Sequence, residues 1–306
     1  MEVSWVSPEP LDLGRTLERY RLWGDDPVNR LGDGVFRRAV AVDGRWLGYR
    51  VTWTGGPDAT RIVVAVPGAR SAREVDAAVA DARHVGGLDL DLASFYRAAA
   101  ADAVLARLVA ALPGLRPTLS PRPFEMLVGA VCAQQVNLGF AFTVRARLVR
   151  RFGTPVPIDG ETVHAFPGPA DLARVAPAEL RAMQFTTRKA EYIVGLARAV
   201  EAGDLDLDGL RGRSNQEVVE ALTAIRGYGR WTAEWFLARG LGRGDVCPAG
   251  DLGVRKAFAH FYARRRELSE RAIRRRAARW GSQQNIAVHY LLAGHRLESR
   301  KAGSGT

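Results

Sequence analysis

The spacing of the apolar residues changes from a strand pattern to a helix pattern about a third of the way along the chain. Three early segments are rich in β-branched and aromatic side chains, namely 36–42, 46–53 and 61–66. Asp43-Gly44 between the first two is typical of a hairpin turn. From Asp91 onward the strand pattern gives way to helical periodicity. We therefore predict an α+β fold, with a small antiparallel β-sheet and helix in residues 1–90 and an all-helical domain in residues 91–306.

Helix boundaries are marked by Pro, Gly and Ser at nearly every gap between apolar segments. Ser71 is the expected N-cap of a helix that ends near residue 83. In the second part the pattern predicts helices at 92–112, 123–135, 138–152, 169–175, 177–183, 188–202, 215–225, 230–239, 252–262, 269–280 and 284–292. We expect these helices to form two lobes, one of residues 121–245 and one of residues 91–120 together with 246–306.

The basic residues are concentrated in the second part of the chain. Residues 1–110 contain 14 basic and 15 acidic side chains, whereas residues 111–306 contain 30 basic and 18 acidic ones. A neutral first part and a strongly basic second part indicate that the second part binds a polyanion. The alternative is a coding bias that favours Arg, but such a bias does not explain the difference between the two parts.

Several classes of protein are disfavoured by composition. The apolar runs are shorter than a membrane span, and the first ten residues lack a signal-peptide core, so we expect a cytoplasmic protein that does not enter a membrane. Cys132 and Cys247 are too few for a disulfide framework or an Fe-S cluster. The five histidines show no zinc-like spacing, and we expect no resident transition metal.

A short glycine-containing segment joins two of the predicted helices. It reads Arg226-Gly227-Tyr228-Gly229-Arg230. Two glycines this close allow a sharp turn and remove the Cβ atoms that would keep a partner away. The main-chain amides at the start of the following helix would bind a phosphate, and the helix dipole would strengthen the attraction. By itself the segment is equally compatible with an ordinary corner between helices.

The sequence around this segment resembles the helix-hairpin-helix superfamily of DNA glycosylases. Pro248-Ala249-Gly250-Asp251 follows the two glycines at the distance of that superfamily's Gly/Pro-rich segment and catalytic aspartate. Phe124-Glu125 and Gln134-Gln135 are similar to the pattern of the DNA-3-methyladenine glycosylase II branch. The resemblance implies that residues 1–90 form a TATA-binding-protein-like module. It also implies that the segment 226–230 is a DNA-binding hairpin.

The resemblance assigns roles to three side chains. Asp251 would be the catalytic carboxylate, because cleavage of an N-glycosidic bond develops positive charge on the sugar. It would also cap the helix that begins at Leu252, and the two roles are compatible. Trp231 occupies the position of the nucleophilic lysine of strand-cutting relatives, which implies no AP-lyase activity. Trp231 and Trp235 would line the base pocket, although either could instead belong to the core.

Further expectations concern base flipping and ions. The resemblance places the side chain that fills the gap left by the flipped base near Cys132. Cys132 is equally compatible with a buried core thiol, in which case Gln134, Gln135 or Asn137 would contact the gap or the opposite base. It also implies a monovalent cation bound by the main-chain carbonyls of Thr223, Ile225 and Tyr228. No organic cofactor is implied.

The chain departs from the branch pattern at three positions. Arg226 replaces a proline, while Leu252 and Leu292 stand where aromatic residues are expected. The base pocket is therefore less aromatic than the branch pattern, which bears on the substrate range more than on the reaction class.

The sequence thus predicts a monomeric, monofunctional DNA glycosylase. It would act on double-stranded DNA and release alkylated bases such as 3-methyladenine or 7-methylguanine in base excision repair. Two alternatives stay open at this point. One is a glycosylase for hypoxanthine or for an oxidised or deaminated base, and the other is a non-catalytic protein that senses damaged DNA.

Overall fold

Asp43 and Gly44, with φ of +49° and +77°, form the tight turn of the first hairpin in a computed structural model that describes residues 1–303. The surrounding strands build a five-stranded antiparallel sheet in the order β1-β5-β4-β3-β2. Its strands are β1 (Glu2–Val6), β2 (Arg30–Gly32), β3 (Val35–Val42), β4 (Arg45–Thr54) and β5 (Arg61–Ala65). The three predicted strands are confirmed as β3, β4 and β5. The short edge strands β1 and β2 were not predicted.

Three helices accompany this sheet. They are α1 (Leu13–Leu17), α2 (Arg19–Leu22) and α3 (Ala72–Val85), and a 3-10 turn spans Pro57–Ala59. The Ser71 hydroxyl accepts a hydrogen bond from the Glu74 amide, as expected of the N-cap of α3. The apolar face of α3 packs on the sheet and forms the N-terminal core, which draws its buried residues from positions 11–85.

The rest of the chain is mostly helical, and the predicted fold class is confirmed. The helices are α4 (Leu92–Ala99), α5 (Ala103–Ala111), α6 (Pro123–Ala133), α7 (Leu138–Phe152), α8 (Pro169–Ala173), α9 (Pro177–Ala182), α10 (Thr187–Glu201), α11 (Asn215–Thr223), α12 (Arg230–Trp235), α13 (Leu252–Tyr262), α14 (Glu270–Ala277) and α15 (Gln284–Gly303). Short 3-10 turns span Gly209–Gly212 and Ala278–Gln283, and α12 continues into a π-helical turn at Phe236–Gly240.

Two predictions about this part of the chain are wrong. The helix predicted at 92–112 is two helices, because Asp102 accepts hydrogen bonds from the amides of Val104 and Leu105 and begins α5 as a new helix. Strands also recur after Asp91, since β6 (Thr154–Ile158) and β7 (Glu161–Ala165) form a second hairpin. Two prolines in β6 hid the strand pattern, because proline removes a ladder donor and is tolerated only at a sheet edge.

The helices enclose two further hydrophobic cores. The central core draws on buried residues from 124–246 together with Val28, and the C-terminal core draws on 92–115 and 247–291. Trp235 is the aromatic side chain that packs against both cores. Within the described part of the chain no helix combines the length and the apolar character needed to cross a bilayer.

A buried ionic network joins the N-terminal sheet to α6 and α7. Glu125 of α6 binds Arg38 of β3 at 2.8 Å and Arg145 of α7 at 2.7 Å. Arg38 also contacts Asp81 of α3 at 3.0 Å, and Arg145 contacts Asp26 at 2.7 Å. Burial raises the pKa of the Glu125 carboxyl, but the two guanidinium groups outweigh it and lower that pKa to about 2. The network therefore fixes the position of α6 against the sheet.

Candidate active site

The hairpin between α11 and α12 turns at Gly227. This glycine has φ of +96°, and a Cβ atom at its position would overlap the ring of Tyr192, so the turn requires glycine. Tyr228 is 1% exposed and its hydroxyl donates to the main-chain carbonyl of Tyr192. The Tyr228 side chain therefore anchors the hairpin from inside.

The outer surface of the hairpin is basic and open. The side chains of Arg226 and Arg230 are 74% and 64% exposed. Gly229 is the N-cap of α12 and has no side chain with which to satisfy the first amides of that helix. Free amides, a helix dipole and two exposed guanidinium groups give this surface the properties of a phosphate-binding site.

Asp251 lies at the start of α13 and accepts hydrogen bonds on both carboxylate oxygens. Its Oδ1 accepts from the Val254 amide at 3.0 Å, as an N-cap does. Its Oδ2 accepts from the indole Nε1 of Trp231 at 2.9 Å and from that of Trp235 at 3.3 Å. The expected capping role of Asp251 is thus present, and the two tryptophans predicted to share a helix face converge on its carboxylate.

The α12 helix, which carries both tryptophans, is held in place by the ion pairs of Glu234. Glu234 of α12 is 4% exposed, and its Oε1 accepts from Arg230 at 2.8 Å and from Arg274 of α14 at 2.7 Å. Because the α12 helix has only six residues, it depends on tertiary contacts for its position. The two ion pairs of Glu234 and the packing of Trp235 on two cores supply them. The positions of both indole N–H groups are therefore set by tertiary contacts.

The loop after α6 differs from the expectation at Cys132. This residue is 1% exposed in the central core, so its side chain is not available to enter a DNA duplex. Burial also raises the pKa of its thiol to about 12. The Gln134 side chain is not free either, because its amide donates a hydrogen bond to the Gly227 carbonyl at 2.9 Å. Gln135 is exposed and has φ of +53°, in the left-handed region that non-glycine residues rarely adopt. Of Cys132, Gln134 and Gln135, only Gln135 is free to fill a gap.

The predicted cation site stays a prediction. The Ile225 carbonyl accepts a hydrogen bond from the Tyr228 amide at 3.1 Å, which leaves one lone pair for an ion. Thr223 is the last residue of α11, and Tyr228 lies in the turn that follows it. Elsewhere in the described residues no group of His, Cys, Asp and Glu side chains could hold a metal ion.

The structure adds Gly253 and Arg239, which the sequence analysis did not select. A Cβ atom on Gly253 would lie 3.1 Å from Asp251 Oδ1 and 3.4 Å from Leu292, so a glycine keeps this approach open. Leu252, next to the carboxylate, is 63% exposed. Arg239 lies over the Trp235 ring. A charged residue within the apolar run 236–241 was the signal that could have identified Arg239.

Comparison with known proteins places this arrangement among base excision repair proteins. The model of the "HhH-GPD superfamily base excision DNA repair protein" family matches residues 128–283. A DNA-3-methyladenine glycosylase of Bacillus subtilis is 32% identical over 204 residues, 67% of each chain. A probable bifunctional transcriptional activator/DNA repair enzyme AlkA of Mycobacterium tuberculosis is 33% identical over 85% of this chain, but the match spans only 50% of that longer protein.

A solved structure of similar fold supports the same family. The 3-methyladenine DNA-glycosylase from Archaeoglobus fulgidus superposes with a TM-score of 0.86 and is 28% identical. The superposition covers 96% of this chain and 98% of that one. The likeness therefore extends over the N-terminal sheet as well as the helical part.

The three hydrogen bonds to Asp251 predict a measurable effect on stability. We expect Asp251→Ala to lower the free energy of unfolding by about 2 kcal/mol, because the helix cap and the acceptor of two indole N–H groups are lost together. Ser71→Ala, which removes only a helix cap, should cost about 1 kcal/mol. Urea unfolding measures both values. An Asp251→Ala protein as stable as the wild type would contradict the geometry.

Proposed function

Because the chain belongs to the HhH-GPD superfamily of base excision DNA repair proteins, we propose that it is a monofunctional DNA glycosylase that releases alkylated bases from double-stranded DNA. The observation that carries the proposal is the carboxylate of Asp251, held by two indole N–H groups close to the exposed hairpin. The DNA-3-methyladenine glycosylases among its relatives support the alkylated base as substrate.

Binding to DNA is assigned to the hairpin. The amides at the start of α12 and the guanidinium groups of Arg226 and Arg230 would contact the phosphates of one strand. Arg226 pairs with Glu191 at 3.1 Å on the exposed surface, and such a pair is weak enough to be exchanged for a phosphate. The net positive charge of residues 111–306 supplies non-specific attraction.

Removal of the base from the stack is assigned to Gln135. It stands at the exposed end of the loop that follows α6, and the Gln134 side chain ties this loop to the hairpin carbonyl of Gly227. A loop fixed to the hairpin keeps a constant position relative to the bound phosphates. Gln135 would then occupy the gap that the flipped nucleotide leaves.

The flipped base would stack beside Trp231 and Trp235, and Leu252 and Leu292 would complete the apolar wall of the pocket. Aromatic faces attract the positive charge that alkylation places on a purine. Alkylation also weakens the glycosidic bond, so only moderate assistance is needed. Leucines at two of these positions make the pocket wider and less electron-rich than one built of four aromatic residues.

The chemistry is assigned to Asp251. A carboxylate offers about four lone-pair positions, and the Val254 amide and the two indoles occupy three of them. The remaining position would face the sugar, where it stabilises the positive charge of the oxocarbenium-like transition state and orients the attacking water. The carboxylate is held in advance, so no reorientation is required as the bond breaks.

Strand cleavage is not expected, because no lysine is available as a nucleophile at the lyase position. Trp231 stands there, and its indole is bound to Asp251. Lys189 is 8% exposed, and its Nζ donates to the Cys132 carbonyl at 2.9 Å at the end of α6. This lysine therefore supports the loop that carries Gln135.

Base release from methylated duplex DNA tests the proposal directly. We expect the wild type to release 7-methylguanine and 3-methyladenine and to leave abasic sites that break only after alkali. Asp251→Asn should release them about a hundredfold more slowly, since a loss of roughly 3 kcal/mol of transition-state stabilisation has that effect. Salt-sensitive DNA binding by the wild type without base release would instead support a non-catalytic, damage-sensing protein.

The role of Gln135 has its own test. We expect Gln135→Ala to lower single-turnover base release from a stable duplex about tenfold, because flipping costs a few kcal/mol and the gap is left unfilled. Release from a mismatched duplex should fall less. Gln216→Ala, on the exposed face of α11, is the matched control. An equal loss on both duplexes would contradict a role in flipping.

A further inference from the structure

Glu234 is a buried carboxylate with two basic partners that differ in exposure. It is 4% exposed. Its Oε1 accepts from Nε of Arg230 at 2.8 Å and from Nη1 of Arg274 at 2.7 Å. The Arg230 side chain lies one turn earlier on the same helix and is 64% exposed, whereas the Arg274 side chain comes from α14 and is 33% exposed. One carboxylate oxygen therefore joins the surface of the hairpin to α14.

The two partners of Glu234 respond differently to DNA. Arg230 is assigned to a DNA phosphate, and a pair between exposed and neighbouring residues of one helix is weak enough to be exchanged. Once Arg230 has turned to a phosphate, Arg274 is the partner that keeps the charge of Glu234 balanced. A buried carboxylate that loses its cation is strongly destabilising. The second ion pair therefore holds α12 in place after the first has been exchanged.

Arg274 also binds the turn that leads into Asp251. Its Nη1 donates to the Cys247 carbonyl at 3.4 Å, and the same carbonyl accepts from the Ala249 amide at 2.8 Å. The Asp251 amide donates in turn to the Pro248 carbonyl at 3.0 Å. The guanidinium is thus attached to the first residue of a tight turn that ends at Asp251.

Glu270 supports the same turn from the start of α14. Its Oε2 is 3.5 Å from Nη2 of Arg274. A Cβ atom on Gly250 would lie 3.2 Å from Oε1 of Glu270, so the glycine lets this carboxylate lie close against the turn. The α14 helix therefore holds the segment before Asp251 at two points.

The ion pair of Glu234 with Arg274 connects the two parts of the site that must meet at the sugar. The α12 helix supplies the indoles of Trp231 and Trp235, and Glu234 lies on this helix. The turn 247–250 leads to the carboxylate of Asp251, and Arg274 is bound to this turn. A displacement of about 1 Å between groups that act on one substrate slows a reaction by up to about a hundredfold. The alignment of the two parts is therefore as important as the groups themselves.

We propose that the Glu234–Arg274 ion pair keeps Asp251 aligned with the two tryptophans while the hairpin is bound to DNA. This inference rests on the proposed glycosylase function and assigns two positioning residues to its site. Both act through Asp251 and the indoles. Glu234 also retains Arg230 in the free protein, so it favours the chemical step and at the same time opposes DNA binding slightly.

Two measurements on Glu234→Gln separate alignment from DNA binding. We expect single-turnover release of 7-methylguanine at saturating protein to fall about tenfold, because α12 and the turn are held together less firmly. The affinity for the same duplex should be unchanged or rise by up to about threefold, because Arg230 is freed for a phosphate. A merely structural role predicts instead that release and affinity fall together.

A double-mutant cycle tests whether the two residues act as a pair. We expect Arg274→Met to slow release about tenfold as well, and the double variant to be no slower than either single one. Arg274→Lys keeps the positive charge and should restore most of the rate. In Arg274→Met the carboxylate of Glu234 still has Arg230 beside it, so the variant remains folded, which thermal unfolding verifies.

The matched control is Glu298→Gln. Glu298 also holds two basic groups, Arg107 at 2.7 Å and His260 at 2.6 Å. His260 is in the last turn of α13, at the opposite end of that helix from Asp251. This variant should leave both the release of 7-methylguanine and the affinity for DNA unchanged.

The outcomes separate the inference from the function on which it rests. If Glu234→Gln lowers DNA affinity and release in parallel, or leaves release unchanged, the inference is overturned while the proposed function stands. Effects of the two substitutions that multiply in the double variant would also overturn it. A wild type that releases no methylated base would contradict the proposed function itself, and the inference with it.

Discussion

Asp251 joins two halves of the helical part, because its carboxylate accepts hydrogen bonds from two tryptophans of α12 and caps its own helix α13 with a third, and the rest of the site is arranged around it. Its own helix, α13, packs in the C-terminal core, whereas the α12 helix that donates two indole N–H groups packs on the central core as well. A carboxylate held from both sides needs no rearrangement when positive charge develops beside it. The position of the hairpin follows from the same contacts, since α12 is also its second helix.

The N-terminal sheet contributes to this arrangement from a distance. Arg38 of the sheet and Arg145 of α7 hold Glu125, so the axis of α6 is fixed on a buried ionic network. The far end of α6 is fixed in turn, because Lys189 binds the Cys132 carbonyl. The exposed Gln135 therefore lies on a loop that follows a helix fixed at both ends. Loss of the network would displace the loop that carries Gln135 and would also lower the stability of the fold.

Local chemistry made much of the fold predictable. The Asp43-Gly44 turn, the alternation along β3 and β4 and the helix caps at Ser71 and Asp251 depend on neighbouring residues alone. The second hairpin was missed because the prolines of β6 mask its alternation. The break at Asp102 was missed because the four alanines before it and the apolar residues after it suit one helix or two.

Some residues of the candidate site were also predictable from the sequence, and others were not. The hairpin glycines and Asp251 could be selected from the sequence, because their spacing resembles that of the glycosylase superfamily. The burial of Cys132 and the contact of Arg239 with the Trp235 ring could not, since both depend on which elements pack around them. Spacing along a helix indicated that Trp231 and Trp235 share a face, but only the tertiary structure shows them meeting on one carboxylate oxygen.

The central claim is that Asp251 stabilises positive charge on the sugar. It is tested most directly by binding to duplex DNA that carries either a positively charged pyrrolidine or an uncharged tetrahydrofuran in place of the sugar. The account predicts that the wild type binds the pyrrolidine duplex at least about tenfold more tightly, as a transition-state mimic requires. Asp251→Asn should bind both equally. A wild type that does not distinguish the two, or an Asp251→Asn protein that keeps the full preference, would contradict the claim.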